Sequence, residues 1–139
     1  MIVHLVARLL ALILILLALI HGYWATAGRE SLRTFMRSAE VPVPPPWAVW
    51  LVAGLLVVGA LLMLGRIGDW GGFMPQWLFV VGCWAMVVSF SMAALINFVD
   101  ATTTIELTVF GPLALLLTVG TFLVALSPKR ITRTTRAGT

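Results

Sequence analysis

Charged side chains are scarce in this sequence, and acidic ones are the scarcest. Charged residues make up 10% of the 139 positions, with only five Asp and Glu, while 61% of the residues are hydrophobic. The mean hydropathy is +1.08. A soluble domain covers its surface with charge on roughly a quarter of its residues. The composition therefore excludes an ordinary soluble domain, and the surplus apolar surface must face lipid.

Cysteine and histidine are also rare, which limits metal and redox chemistry. The single cysteine, Cys83, excludes an intrachain disulfide and a multi-cysteine metal site, and the apolar run around it favours a packing role. The two histidines, His4 and His21, are seventeen residues apart on one predicted helix, which is about 25 Å at 1.5 Å per residue. They cannot ligate one haem, so we expect no metal and no cofactor.

Recognisable catalytic sequences are absent as well. The chain has no HExxH, GxSxG or Walker sequence. No carboxylate lies in the middle of an apolar stretch, which argues against a proton-coupled pump. The net charge of +4 comes from the C-terminal tail and one loop, so it indicates anionic lipid headgroups as partners rather than nucleic acid. An enzyme is left open as the less favoured class.

Long apolar stretches are what this sequence has in abundance. Four of them can cross about 30 Å of hydrocarbon, at residues 5–27, 47–64, 77–98 and 107–126. They predict an all-α fold, an integral membrane four-helix bundle that forms a single domain over residues 1–139. The first stretch also fits a signal peptide cleaved after Ala25-Thr26-Ala27. The interfacial pair Tyr23-Trp24 favours a helix that is retained.

The distribution of Lys and Arg predicts the orientation. With four spans, six basic residues fall on the side of the two termini and three on the side of the first loop. Cytoplasmic segments carry the excess of positive charge in membrane proteins. We therefore predict that both termini are cytoplasmic, that residues 28–46 form an external loop, and that residues 127–139 form a basic cytoplasmic tail.

Several features predict how the spans pack. Small or polar residues recur at every fourth position of the third span and predict a face turned toward another helix: Ala85, Ser89, Ala93 and Asn97. The pair Gly111-Pro112 predicts a kink in the fourth span, because proline donates no backbone hydrogen bond. In the external loop, the segment Arg29–Glu40 has apolar residues spaced for a short interfacial helix. A stiff proline-rich run follows it and leads into the second span.

Polar residues near the predicted outer face are the only candidates for a site. They are His21, Trp24, Arg29, Asn97 and Glu106. A polar group left unpaired in hydrocarbon is costly, so each needs a partner. One interpretation is that they converge on a ligand-binding pocket that opens to the outer surface. The structural alternative is that Glu106 complements a helix dipole and His21 bonds a carbonyl or Asn97.

Two stretches of the sequence resemble a known family. The run His21-Gly22-Tyr23-Trp24-Ala25 resembles the H-x-Y-W-A pattern that ends the first helix in a family of uncharacterised four-helix bacterial membrane proteins, a domain of unknown function. The stretch from Asn97 through Glu106 to Gly111-Pro112-Leu113 is similar to the start of the fourth helix in such proteins. Ala27-Gly28 stands where the family more often has a paired glycine. The resemblance implies a four-helix fold in the bacterial inner membrane and no particular activity.

Three functions remain open at this point. The favoured one is a non-enzymatic accessory or assembly component, or a self-associating bundle, with membrane lipids and either a second copy or another membrane protein as partners. The alternative is a protein or enzyme that binds a lipid or other amphiphile in the outer leaflet, using the pocket around His21, Asn97 and Glu106. The third is a small dimeric transporter, for which Ser89, Ser91 and the threonines of the fourth span offer the only polar path.

Overall fold

The computed structural model describes residues 2–38, 42–68, 74–99, 104 and 106–127. The regular secondary structure of these residues is helical, in agreement with the predicted all-α class. The helices are α1 (Ile2–Ala25), α2 (Arg29–Ser38), α3 (Pro46–Ile67), α4 (Gln76–Val99), a π-helical turn (Glu106–Phe110) and α5 (Gly111–Leu126). Four of the helical segments are long and apolar enough to cross a membrane: α1, α3, α4 and Leu107–Leu126. The prediction of a four-helix membrane bundle is therefore confirmed, while its orientation stays a prediction.

The four long helices pack as two close antiparallel pairs. Helix α1 pairs with α3, and α4 pairs with α5, while α3–α4 and α1–α5 contacts join the pairs.

Each end of the bundle is called after one of its residues. The His21 end contains the end of α1, the start of α3, the end of α4 and the start of α5. The opposite end, at the C-terminal ends of α3 and α5, is the Arg66 end.

Small side chains make up much of the buried core. The core cluster joins all four long helices and contains Ala7, Leu10, Ala11, Leu14, Ala60, Met63, Cys83, Leu117, Val124 and Ala125. Large apolar side chains such as Leu12, Leu55 and Leu116 are exposed on the outside. Lipid solvates such side chains as well as the core does, so helix pairing depends on close approach and not on hydrophobicity alone.

Glycines allow close approaches between helices, as at Gly65 and Gly120. A Cβ atom on Gly65 of α3 would collide with the ring of Phe79 on α4. A Cβ atom on Gly120 of α5 would lie 2.7 Å from a methyl group of Leu10 on α1. Glycine at these positions lets the neighbouring helix pack against the backbone itself.

The segment before α3 adopts the extended conformation expected of a proline-rich run. Pro45 has φ −65° and ψ 153°, close to polyproline II, and Pro46 begins the helix. Proline suits the first turn of a helix because its missing N–H has no partner to lose there. The short helix expected in the loop is present as α2, which covers Arg29–Ser38 of the predicted Arg29–Glu40 segment; Glu40 lies outside the described residues.

The helical geometry changes just before Pro112, where a kink is predicted; the kink itself stays a prediction. The chain makes a π-helical turn over Glu106–Phe110, and α5 then begins at Gly111 with Pro112 in its first turn. The π-helical turn runs directly into α5, so the missing N–H of Pro112 falls where the π-helical and α-helical hydrogen-bond patterns meet. Local π geometry is a known way for transmembrane helices to accommodate proline.

The predicted inward face of α4 is only half correct. Ala93 and Asn97 are partly buried, but Ala85 and Ser89 are exposed. The Ser89 hydroxyl donates to the carbonyl of Ala85 on its own helix, 2.9 Å away. The small-residue face thus turns toward the bundle at the His21 end and away from it farther along α4.

Candidate functional site

A cavity of about 610 Å³ lies at the His21 end of the bundle. It opens between α1, α4 and α5, where α1 and α4 lie on a diagonal and do not contact each other. Helix α2 covers it with Phe35 and Met36. Its volume falls within the range of small-molecule sites, roughly 300–1,000 Å³.

Most of the cavity wall is apolar. Leu17 and Ile20 contribute from α1, Phe90 from α4, and Leu113 and Leu117 from α5. Three side chains with polar atoms interrupt this wall: His21 and Trp24 of α1, and Asn97 of α4. An apolar enclosure with a few polar groups is the usual composition of a ligand site.

His21 satisfies one of its ring nitrogens within its own helix. Nδ1 lies 2.8 Å from the carbonyl oxygen of Leu17, one turn earlier. Because a carbonyl oxygen only accepts, Nδ1 must carry the proton, and in the neutral ring Nε2 is then an acceptor. Among the described residues, Nε2 has no hydrogen-bond partner. His21 therefore presents an available acceptor at the cavity wall.

Asn97 is held in the same way. Its Nδ2 atom donates to the carbonyl oxygen of Ala93, 2.7 Å away and one turn earlier on α4. This bond leaves the amide oxygen Oδ1 and the second amide hydrogen available. No hydrogen bond joins Asn97 to His21 in the described part of the chain, so the two side chains line one cavity without satisfying each other.

A row of four aromatic rings connects the cavity to α2. The His21 and Trp24 rings meet edge to face with centroids 5.5 Å apart. Trp24 stacks on Phe35, and Phe35 meets Phe110 edge to face, each at 5.8 Å between centroids. Such pairs contribute about 0.5–1.5 kcal/mol each beyond area burial. The row fixes α2 over the cavity.

Leu32 anchors α2 to the bundle on the same face as Phe35. It is 1% exposed, and its backbone N–H donates to the carbonyl of Gly28, 3.0 Å away. Gly28 itself packs under the ring of Tyr23, where a Cβ atom would collide with the ring. On the opposite face of α2, Glu30 and Arg33 form an exposed ion pair at 3.1 Å. The helix is thus amphipathic, with its apolar face toward the bundle.

Arg29 is not among the residues that line the cavity. Its Nη2 atom donates to the carbonyl oxygen of Pro44, 2.6 Å away, and ties the start of α2 to the proline-rich segment before α3. The Nη1 atom is buried and has no hydrogen-bond partner in the described part of the chain. Arg29 therefore braces the loop that carries α2 rather than forming the rim of the cavity.

Two acidic residues of the His21 end, Asp100 and Glu106, lie wholly or partly outside the described residues. Glu106 begins the π-helical turn that leads to Phe110, but its side chain is not among the described parts of the chain. Asp100 lies outside the described residues altogether. Of the five predicted site residues, the structure brings together His21, Trp24 and Asn97 at one cavity.

Sequence reasoning missed two aromatic residues of the site, Phe35 and Phe110. Phe35 was visible only as part of the apolar face of α2, which suggested contact with the membrane rather than with Trp24. Phe110 carries no signal in the sequence, because its place at the cavity wall, at the end of the π-helical turn, is visible only in the structure. Within the described residues, no three His, Cys, Asp or Glu side chains group in a way that could hold a metal ion.

Comparison with known families assigns this chain to one of them. Residues 14–121 match the family described as "Protein of unknown function (DUF3995)". The chain belongs to this family, which confirms the resemblance to a domain of unknown function; the H-x-Y-W-A motif itself stays a prediction. No curated protein and no solved structure matches the chain.

Proposed function

For this member of the family, we propose that the cavity binds an amphiphilic lipid in the outer leaflet of a bacterial inner membrane. The observation that carries this proposal is that His21 and Asn97 share one otherwise apolar cavity of about 610 Å³. Each side chain is held by a hydrogen bond to its own helix and can still form a further hydrogen bond with a ligand. The polar head of the ligand binds these two groups, and its chain lies along the apolar wall.

The two polar groups favour a particular kind of head. His21 Nε2 in the neutral ring and Asn97 Oδ1 are both acceptors. A hydroxyl or amine can donate to both of them, and an acceptor atom of the same head can take the second amide hydrogen of Asn97. The described part of the cavity wall holds no Lys or Arg, and Arg29 is engaged with Pro44. The head is therefore neutral or cationic, with at least one O–H or N–H group.

The proposal concerns binding and not catalysis. His21 is the titratable side chain of the described wall. Acid–base catalysis by a pair of side chains would need a second titratable group beside His21. The described part of the cavity wall does not provide one. The proposal also includes the orientation of the bundle in the membrane. The end opposite the cavity carries the excess of Lys and Arg, and its placement in the cytoplasm makes the cavity face the outer leaflet.

Lipid that co-purifies with matched variants tests the proposal. His21→Ala and Asn97→Ala each remove one head contact, and we expect about a tenfold loss of bound lipid, since one hydrogen bond contributes ~1 kcal/mol or slightly more. The controls are His4→Ala, the other histidine, and Ser89→Ala, which removes the same bond to a carbonyl one turn earlier. Equal lipid content in all four variants, measured by native mass spectrometry, would refute a ligand head at His21 and Asn97.

Self-association is a second candidate function with its own observation. Ala85 and Ser89 are exposed on α4, and small residues on an exposed face allow another helix to approach closely. A second copy of the chain packed on this face would bury them. Ala85→Leu is expected to shift a dimer toward monomer in detergent, measured by analytical ultracentrifugation, whereas Gly54→Leu on α3 is the control. A monomer at all concentrations in the unsubstituted protein contradicts it.

A further inference from the structure

Aromatic rings are concentrated at the level of the cavity's polar groups. Trp24 lies three residues after His21 on α1, with ring centroids 5.5 Å apart. Phe110 lies just before the start of α5, and Phe35 of α2 connects it to Trp24 through ring contacts at 5.8 Å each. All of these rings line the cavity. A head group that binds His21 therefore has aromatic rings beside it.

The part of the cavity nearer the centre of the bundle is mainly aliphatic. Leu17 of α1 and Leu117 of α5 line it together with one ring, Phe90 of α4. Phe90 lies seven residues before Asn97, about 10 Å deeper at 1.5 Å per residue. The cavity thus has an aromatic and polar level at the His21 end, called the head level, and an aliphatic level that suits an alkyl chain.

The groups at the head level favour a cation over a neutral head. His21 Nε2 and Asn97 Oδ1 are acceptors, and no Lys or Arg lines the described wall. The face of an aromatic ring attracts a cation, and this attraction grows when water is excluded. A hydroxyl can use the two acceptors but gains no such attraction from the rings, whereas a protonated amine gains both. The indole N–H of Trp24 is a donor and suits an oxygen atom elsewhere in the ligand.

We infer that the head of the bound lipid is a protonated amine. The inference rests on the proposed function, because the same cavity must hold the ligand. The ammonium group donates its N–H bonds to His21 Nε2 and Asn97 Oδ1 and packs against the rings of Trp24 and Phe110. The alkyl chain lies at the aliphatic level. The ligand class is therefore an amphiphile with an ammonium head.

Binding of two matched probes tests this inference. An alkylamine and the alkyl alcohol of the same chain length differ only in the head, and the amine is protonated at neutral pH, as the lysine side chain is. Each radiolabelled probe is bound to the protein in phosphatidylcholine nanodiscs. Its binding is measured as the excess over empty nanodiscs, which subtracts partitioning into the bilayer. We expect the amine to bind about tenfold more tightly than the alcohol.

Aromatic variants show whether the rings cause this preference. Phe110→Leu keeps an apolar side chain but removes a ring at the head level, and we expect the ratio of amine to alcohol affinity to fall about threefold. Trp24→Leu is a second variant of the same kind. Phe90→Leu is the matched control, because it removes a ring at the aliphatic level and should leave the ratio unchanged. Circular dichroism checks that the variants fold.

Phosphatidylethanolamine added to the nanodiscs identifies the source of the ammonium group. Its head carries a protonated amine next to a phosphate. Displacement of the alkylamine by this lipid assigns the site to a phospholipid of the bilayer. Absence of displacement assigns it to an amphiphile with an amine and no phosphate. Both results support an ammonium head where the amine binds more tightly than the alcohol.

The outcomes for the inference and for the proposed function differ. Equal affinity of the amine and the alcohol overturns the inference, and so does a preference that Phe110→Leu and Trp24→Leu leave unchanged. The proposed function survives either result if His21→Ala and Asn97→Ala weaken the binding of both probes. If neither probe exceeds empty nanodiscs and the two polar variants leave co-purified lipid unchanged, the proposed function fails together with the inference.

Discussion

The indole ring of Trp24 stacks on the phenyl ring of Phe35 at 5.8 Å between centroids and 21° between planes. Trp24 lies in the last turn of α1 and Phe35 in the middle of α2, so this contact folds the loop back over the bundle. Phe35 in turn contacts Phe110, at the start of the last helical segment. One side chain of the loop thus connects both walls of the cavity, and its removal is expected to uncover the site.

Replacing Phe35 should weaken binding at the cavity. Phe35→Ala removes two ring contacts, worth about 0.5–1.5 kcal/mol each, and loosens α2 over the ligand. We expect about a fivefold to tenfold faster dissociation of bound lipid, measured by exchange against a labelled lipid in nanodiscs. The matched control is Phe122→Ala, which removes an edge-to-face contact with Trp84 away from the cavity. Equal exchange rates in the two variants would show that α2 does not cover the ligand.

Replacing Arg66 should destabilise the opposite end of the bundle. The Arg66 side chain is 9% exposed, and its Nη2 atom donates to the carbonyl of Ser127 at the end of α5. A cation there also favours the C-terminal dipoles of α3 and α5. We expect Arg66→Met to lower the free energy of unfolding by about 2 kcal/mol, the usual worth of a charge-assisted bond. Unfolding in a denaturing detergent measures this, with exposed Arg8→Met as the control.

A second substitution, Arg66→Lys, separates the effect of the positive charge from the effect of the bond to Ser127. Lysine keeps the charge but offers one compact donor group where arginine offers a planar fork. We expect it to recover only part of the stability lost in Arg66→Met. Full recovery would indicate that charge near the helix ends, and not the bond to Ser127, is what matters.

Two glycines of α3 should respond oppositely to the same substitution. A Cβ atom on Gly65 collides with the Phe79 ring, which cannot bend away, whereas one on Gly54 meets no atom within 4 Å. We expect Gly65→Ala to cost about 1–3 kcal/mol through overpacking. Gly54→Ala should be neutral or stabilising by up to ~1 kcal/mol, since alanine favours helix. Thermal unfolding in detergent measures both, and equal effects would contradict the close approach of α3 and α4 at Phe79.

The orientation can be tested with the protein's own lone cysteine as the starting point. Cys83 is fully buried, and Cys83→Ala gives a background free of thiols. In that background, we expect Ser31→Cys on the exposed face of α2 to react in whole cells with a maleimide that cannot cross the membrane. Thr135→Cys in the basic tail should react only after the cells are broken. The reverse pattern would place the cavity in the cytoplasmic leaflet and contradict the proposed function.

The helical segments of this protein can be predicted from its amino-acid sequence alone. Length and hydropathy suffice for this, because backbone groups in hydrocarbon must be satisfied within a helix. The apolar spacing around Leu32 and Phe35 likewise predicted α2, and the proline run predicted the extended entry to α3. His21, Trp24 and Asn97 stand out in the sequence because polar and interfacial side chains contrast with their apolar surroundings, and the structure places all three at one cavity; their role as a binding site stays a prediction.

Only the tertiary structure decided which faces of these helices meet. In a soluble protein, hydropathy marks the inner face, but here exposed Leu116 and buried Leu117 are equally apolar. The inner face depends instead on shape, as where Gly65 admits Phe79, and shape complementarity between distant segments is not visible in one sequence. The same reason left Ala85 and Ser89 exposed where a packed face was predicted. It also concealed the cavity itself, which opens where α1 and α4 lie on a diagonal and do not contact each other.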